Sequence, residues 1–266
     1  MNIRSKQRIQ SISNEPLLEK IKVSPFDTSL ANQYPFSLPL IQSLKEIEFP
    51  TKVTFFVGEN GTGKSTILEA LAIKAGFGPE GGSKNIAFKT AYENHYTPAM
   101  QFADCMTLSW RKKTTEGYFF RAESFFNVAS QLDKIAKEGG QGPEKTFAPY
   151  GGKSLHEQSH GESFLAFFKN RLSSGGFFIF DEPEAALSPQ RQLSLLAIIH
   201  ELSTKTDSQF IIATHSPIIL AYPGATIYSC DLATLKGVGY KDTDHYQITK
   251  QFLDNPDRYF TYLFEE

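Results

Sequence analysis

Apolar residues along this chain fall in short unbroken blocks more than in strict alternation. KVTFFVG, GFFIFDEPE, SQFIIATHSP and ATIYSC each hold an apolar core bounded by glycine, proline or polar residues, the signature of strands buried on both faces. The first ends at Gly58. Between the blocks the spacing turns helical. Ile67, Leu68, Leu71 and Ala75 share one face of GKSTILEALAIKAG, which stops at Gly76. SPQRQLSLLAIIHELS predicts a helix with Ser188 as N-cap and Pro189 at its first position. SFFNVASQLDKIAKEGG predicts another, capped by Ser124, and in ESFLAFFKNRL Phe164, Phe168 and Leu172 recur every four residues. Strands alternating with helices predict an α/β fold with a largely parallel central sheet.

The remaining segments are more punctuated. Prolines at 16, 25, 35, 39 and 50 predict short strands and turns over residues 1–50. Residues 76–98 read as loops. MTLSWRKK and GYFFRA read as strands around a TTEG turn, and GGQGPEKTFAPYGGKS as a flexible connector. The tail from Thr243 reads as mixed helix, and no repeat or heptad array occurs.

Composition narrows the class only slightly. The 266 residues suit one large domain or two small ones, and 21% charged with 40% hydrophobic residues is ordinary for a soluble globular protein. A net charge of −2 argues against a protein that coats duplex nucleic acid, while leaving room for a local basic patch. Cys105 and Cys230 are far apart, without metal-ligand or redox spacing, and read as reduced thiols in a cytoplasmic protein. No apolar run nears the ~18 residues of a membrane span. MNIRSKQRIQ lacks a following apolar region, so no signal peptide is expected.

The chemistry begins at GENGTGKS, Gly58 to Ser65, which fits G-x-x-x-x-G-K-[ST]. Gly58, Gly61 and Gly63 permit backbone angles that turn successive N–H groups toward a phosphate. Asn60, Thr62 and Thr66 complete the cradle. The helix starting here adds partial positive charge. Lys64 reaches the outer phosphates, and the Ser65 hydroxyl is the expected ligand for Mg²⁺. This points to ATP or a similar nucleotide.

FFIFDEPE places Asp181 and Glu182 at the carboxyl tip of an apolar strand, the edge where open parallel sheets bind ligands. Asp181 is the expected Mg²⁺ carboxylate and Glu182 the expected general base for an attacking water. Adjacent carboxylates repel without a cation, which itself argues for the metal. IIATHSP ends a second strand at Thr214, His215 and Ser216. His215 lies 34 residues after Asp181, room for one helix between neighbouring strands.

With these motifs in order, and SHGES between them, the chain resembles the ATP-binding-cassette (ABC) class of ATPases over residues 20–230. Lys64 to Ser159 spans 95 residues and Ser159 to Asp181 spans 22, which leaves no room for a long coiled-coil insertion. The resemblance implies one ABC-type head over 1–266: an α/β P-loop NTPase fold with a mainly parallel central sheet. It also implies an N-terminal antiparallel β region and a small helical part, roughly 122–175, carrying the signature motif. In that motif Ser159, Gly161 and Glu162 would contact the nucleotide held by a second copy. His160 and Glu162 depart from the usual Gly and Gln, and Glu162 either faces away or pairs with a cation such as Lys153. AALSP resembles the D-loop. Arg121 and Glu123 stand where the Q-loop glutamine is expected, and Phe26, Tyr34 and Phe36 are candidates either to stack on adenine or to pack the core.

The implied protein binds and hydrolyses Mg-ATP in a head-to-tail homodimer and drives a separate protein partner, for instance in repair or defence. Nucleic acid is a further possible target. Two alternatives are the energy subunit of an ABC transporter, against which DEPEAALSP argues, and an ATP-gated binding module with little hydrolysis, against which Glu182 argues.

Overall fold

The structure is a computed structural model that describes residues 14–84, 96–123, 130, 133–134, 136–138, 142–148, 152, 154 and 168–264. In chain order the principal elements are β1 (Leu18–Val23), α1 (Pro39–Ser43), β2 (Glu46–Glu48), β3 (Val53–Val57) and α2 (Lys64–Lys74). Next come α3 (Pro98–Asp104), β4 (Met106–Trp110), β5 (Gly117–Arg121), α4 (Gly142–Phe147) and β6 (Phe177–Asp181). The last part comprises α5 (Pro189–Lys205), β7 (Gln209–Ala213), α6 (Pro217–Leu220), β8 (Thr226–Ser229), β9 (Lys236–Gly237), α7 (Asp244–Asp254) and α8 (Pro256–Phe264).

The central sheet has the order β5-β6-β7-β3-β8-β9. Its strands run parallel except β9, which pairs antiparallel with β8. The apolar blocks form its middle because both faces are covered. Phe177, Ile179, Ile211, Ala213 and Phe56 face one core with α2 and α3, whereas Phe178, Phe180, Phe210, Ile212 and Phe55 face another with α5 and α6. Successive side chains point to opposite faces of a strand, so a strand covered on both sides must be apolar at every position.

A second, antiparallel sheet has the order β2-β1-β4 and packs into the first of these cores. Here the structure corrects the sequence reading. The strands on either side of TTEG both form, but they do not pair: β4 joins β1, while β5 joins β6 in the central sheet. The antiparallel region is therefore not confined to the N-terminus. Gly117 is required at the changeover, because with φ +153° any Cβ would overlap the carbonyl oxygen of Phe177. Two further departures are short helices. Residues 142–147 of the expected connector are helical. Thr97 caps α3, its side chain accepting from Met100 N, with Pro98 at the first position.

One buried side chain ties the two sheets together. Leu18 N donates to Gln209 Oε1 at 2.7 Å, and Gln209 Nε2 donates to Leu18 O at 3.0 Å, so the amide stands in for a strand neighbour. Lys52, just before β3, ties the central sheet to α5 instead, donating to Ser203 O and Thr206 O at the carboxyl end of that helix, where a cation is favoured.

Replacing Gln209 by Leu keeps the volume but leaves two backbone groups of Leu18 without partners. The expected loss is about 2–4 kcal/mol in a urea denaturation experiment. A loss below about 0.5 kcal/mol would mean that Gln209 does not serve those groups.

Candidate nucleotide site

The register of the central sheet gathers the chemistry at one edge. Arg121 lies opposite Asp181, Asp181 opposite Ala213, and Ala213 opposite Phe56. The phosphate loop therefore leaves β3 beside the acidic tip of β6 and the Thr214–Ser216 tip of β7.

Gly58, Gly61 and Gly63 have φ of +151°, +81° and +103°, the conformations expected of the loop. Gly63 is the N-cap of α2 with no side-chain cap, so the first-turn N–H groups are left for an external acceptor. Lys64 is buried, and its ammonium donates to Gly58 O at 2.6 Å and Glu59 O at 2.9 Å. Burial lowers its pKa, offset in part by nearby carboxylates. Thr62 Oγ1 donates to Glu59 O at 2.9 Å, while Asn60 and Gly61 lie exposed on the rim. Thr66 is buried, with its hydroxyl paired to the phenol of Tyr34. A contact not foreseen is Asp231, which accepts from Glu59 N at 2.6 Å and pins the start of the loop.

Ser65 Oγ donates to Asp181 Oδ1 at 2.9 Å. Asp181 is buried, and desolvation raises its pKa from 3.8 to about 6 even though Arg121 and the Ser65 hydrogen bond pull the other way. Arg121 Nε is 3.5 Å from Asp181 Oδ2, and its Nη1 bonds Glu69 Oε2 of α2 at 2.8 Å. Of the two Q-loop candidates, Arg121 thus belongs to the carboxylate cluster, while the Glu123 side chain is 88% exposed. A hydroxyl and a carboxylate oxygen side by side suit a hard cation. Mg²⁺ needs few protein ligands when phosphates supply the rest; among the described residues no group of three or more acidic, His or Cys side chains is placed to hold a metal.

Glu182 has φ +51°, the one positive φ at a non-glycine among the described residues. Its N–H donates to Ala213 O at 3.0 Å, which holds the turn. Such strain persists where the surroundings fix it and is common at functional sites. His215 Nε2 lies 3.3 Å from Glu182 Oε1. The His215 backbone N–H donates to Glu184 Oε1 at 2.6 Å, and Ser216 Oγ donates to Gln192 Oε1 at 2.5 Å. Glu184 is largely desolvated, which raises its pKa. Glu184 and Gln192 escaped the sequence reading. Only the repeated acid of DEPE hinted at the first, and no motif marked the second.

Of the three adenine candidates, Phe36 is fully buried and Phe26 packs against it with ring centroids 4.6 Å apart, whereas Tyr34 is 55% exposed beside Thr66. Ser188 occupies the N-cap position of α5, but its side chain makes no capping hydrogen bond. Ser159, Gly161 and Glu162 of the expected signature motif, with His160 and Lys153, lie outside the described residues.

Strand, phosphate loop and helix, with an acidic strand tip beside them and a histidine tip beyond, define a P-loop nucleotide-binding fold. A family model described as "AAA domain" matches residues 36–207, and the chain belongs to that family. No curated protein matches it. Among solved structures it is similar to the SMC head domain from Thermotoga maritima (18% identity, 83% of this chain and 98% of that chain, TM-score 0.41). It is also similar to cbiO1 of the cbiONQ ABC transporter complex from Clostridium perfringens (14%, 91% and 97%, TM-score 0.47). A third is the Smc head domain bound to the C-terminal domain of ScpA from Pyrococcus furiosus (15%, 90% and 99%, TM-score 0.45).

Because the folded state raises the pKa of Asp181 from 3.8 to about 6, it holds that proton more tightly than the unfolded chain does. The group's contribution to stability is full below about pH 4 and is lost as pH rises through 6. The difference corresponds to at most ~3 kcal/mol. In chelator-treated, nucleotide-free protein, Asp181→Asn should therefore raise unfolding stability at pH 7.5 by about 1–3 kcal/mol and leave it nearly unchanged at pH 4. An equal change at both pH values would refute the desolvated carboxylate.

Proposed function

We propose that this chain is an ATPase that binds Mg-ATP at Gly58–Thr66 and hydrolyses it to ADP and phosphate. The observation that carries the reading is the meeting of Lys64, Ser65, Asp181, Glu182 and His215 at one sheet edge. The first-turn N–H groups of α2 and the ammonium of Lys64 would take the β- and γ-phosphates. Ser65 and Asp181 would hold Mg²⁺, which supplies charge neutralisation across the phosphates. Glu182 is partly open to solvent beside His215, as a base for an attacking water must be, and its strained backbone fixes where the carboxylate points.

Tyr34 is the aromatic free to meet the base, next to the first turn of α2. The chain would work as a single domain in which both sheets share one core. Two heads would close head to tail over two nucleotides, each lending its 159–162 segment to the other, and pass the closure to a protein partner. Among the described residues no helix is long and apolar enough to cross a membrane. Cys105 and Cys230 are free thiols, as a cytoplasmic location would have them.

Lys64→Ala should lower ATP affinity by about 100-fold or more, since it removes a buried cation from the phosphates. Glu182→Gln should retain ATP binding, cut phosphate release by roughly 10²–10⁴-fold and yield a dimer on size-exclusion chromatography with Mg-ATP. Unchanged hydrolysis in Glu182→Gln would remove it as the base. A monomer under these conditions would sink the sandwich.

A further inference from the structure

His215 has two ring nitrogens, and the structure gives each a different neighbour. Nε2 is buried, has no hydrogen-bond partner among the described residues, and lies 3.3 Å from Glu182 Oε1. Nδ1 lies 2.8 Å from Nε2 of His245, in the first turn of α7. The His215 backbone is already tied by its N–H to Glu184, so rotation of the ring is the freedom that His245 removes.

Proton placement follows from elementary electrostatics. If His215 carried its proton on Nδ1, the Nε2 lone pair would face a carboxylate oxygen at 3.3 Å, and the two would repel. With the proton on Nε2, a positive N–H lies beside the Glu182 carboxylate and the repulsion becomes attraction. Nδ1 must then accept, and His245 Nε2–H must donate.

The position of His245 is itself fixed. Thr243 is buried, its Oγ1 donates to Tyr240 O at 2.8 Å and accepts from Tyr246 N at 3.3 Å, which pins the start of α7. Burial, and then the neighbouring His215, lower the pKa of His245, so it is a neutral donor. It lies beyond the 36–207 span of the family match.

We propose that His245 is a positioning residue for hydrolysis: by donating from Nε2 to His215 Nδ1 it holds His215 in the Nε2–H tautomer with that N–H directed beside Glu182. This rests on Glu182 acting as the base. His245 acts through His215.

The test uses the full chain with ¹⁵N-labelled histidine, the His215 signals being assigned by their loss in His215→Gln. In the wild type, long-range ¹H–¹⁵N correlations should show Nε2 protonated and Nδ1 unprotonated. His245→Ala should blur that pattern toward tautomer exchange and lower kcat about 10–100-fold, with the Kd for a non-hydrolysable ATP analogue unchanged. His245→Gln, whose amide N–H reaches the same place, should restore both readouts. A wild-type His215 protonated on Nδ1 overturns the proposal. So does a His245→Ala variant with unchanged tautomer or unchanged kcat, or a well-folded Gln variant that restores neither. If the wild type hydrolyses no ATP, the ATPase reading falls, and the NMR arm alone decides the His245–His215 bond.

Discussion

The site is organised around a carboxylate that the fold forces out of water. Asp181 ends a strand whose other residues, Phe177, Phe178, Ile179 and Phe180, are all fully buried. The strand cannot reach the sheet edge without carrying that carboxylate into a poorly solvated place, and its raised pKa of about 6 measures the cost. Two groups answer it: the Ser65 hydroxyl and the Arg121 guanidinium, which Asp181 shares with the carboxylate of Glu69. Neither neutralises it fully. A carboxylate stabilised only in part is the group whose pairing with a cation would gain most, so the burial of this strand is what would favour the proposed metal.

The same edge explains why neighbouring residues depend on backbone more than on side chains. The phosphate loop is shaped by left-handed glycines, and its lysine rests on two carbonyls of its own loop. Glu182 sits in a conformation that L-residues avoid, held by an N–H to Ala213 O from the adjacent strand. Main-chain bonds to a parallel sheet hold these groups in place, as the proposed attack by water would require.

What the sequence disclosed follows from where information is local. An unbroken apolar block, a glycine-rich turn and a polar strand tip are each written in a few consecutive residues, so β3, β6, β7, the phosphate loop and the strand-tip positions of Asp181, Glu182 and His215 are legible in the sequence. Pairing is not local. The strands flanking TTEG look like neighbours in sequence, yet β4 and β5 enter different sheets, because β5 must fill the place beside β6. Gln209 stood inside an expected strand, and nothing in its surroundings said that its amide would reach Leu18, 191 residues away. The helix at 142–147 was hidden by glycines around it, and α3 by a loop-like composition, although Thr97-Pro98 is a helix start in its own right. Glu184, Gln192, Asp231 and His245 act by reaching across the fold, and a lone polar residue carries no mark of its distant partner.

Those four residues share a role. Asp231 fixes the loop that receives phosphate, Glu184 and Gln192 fix the backbone and cap of the His215 turn, and His245 bonds its ring. The His215 turn is therefore gripped by the 3-10 turn after β6, by α5 and by α7. Displacing any of these elements changes where the imidazole stands relative to Glu182. α5 follows the AALSP segment, the part that the resemblance to ABC heads would place at a dimer boundary. Closure against a second head would then be felt by Gln192 and, one hydrogen bond later, by Ser216 next to the histidine. The path is short because Gln192 Nε2 also donates to Leu187 O, so one buried amide touches both the segment that would meet the partner and the turn that would meet the phosphate.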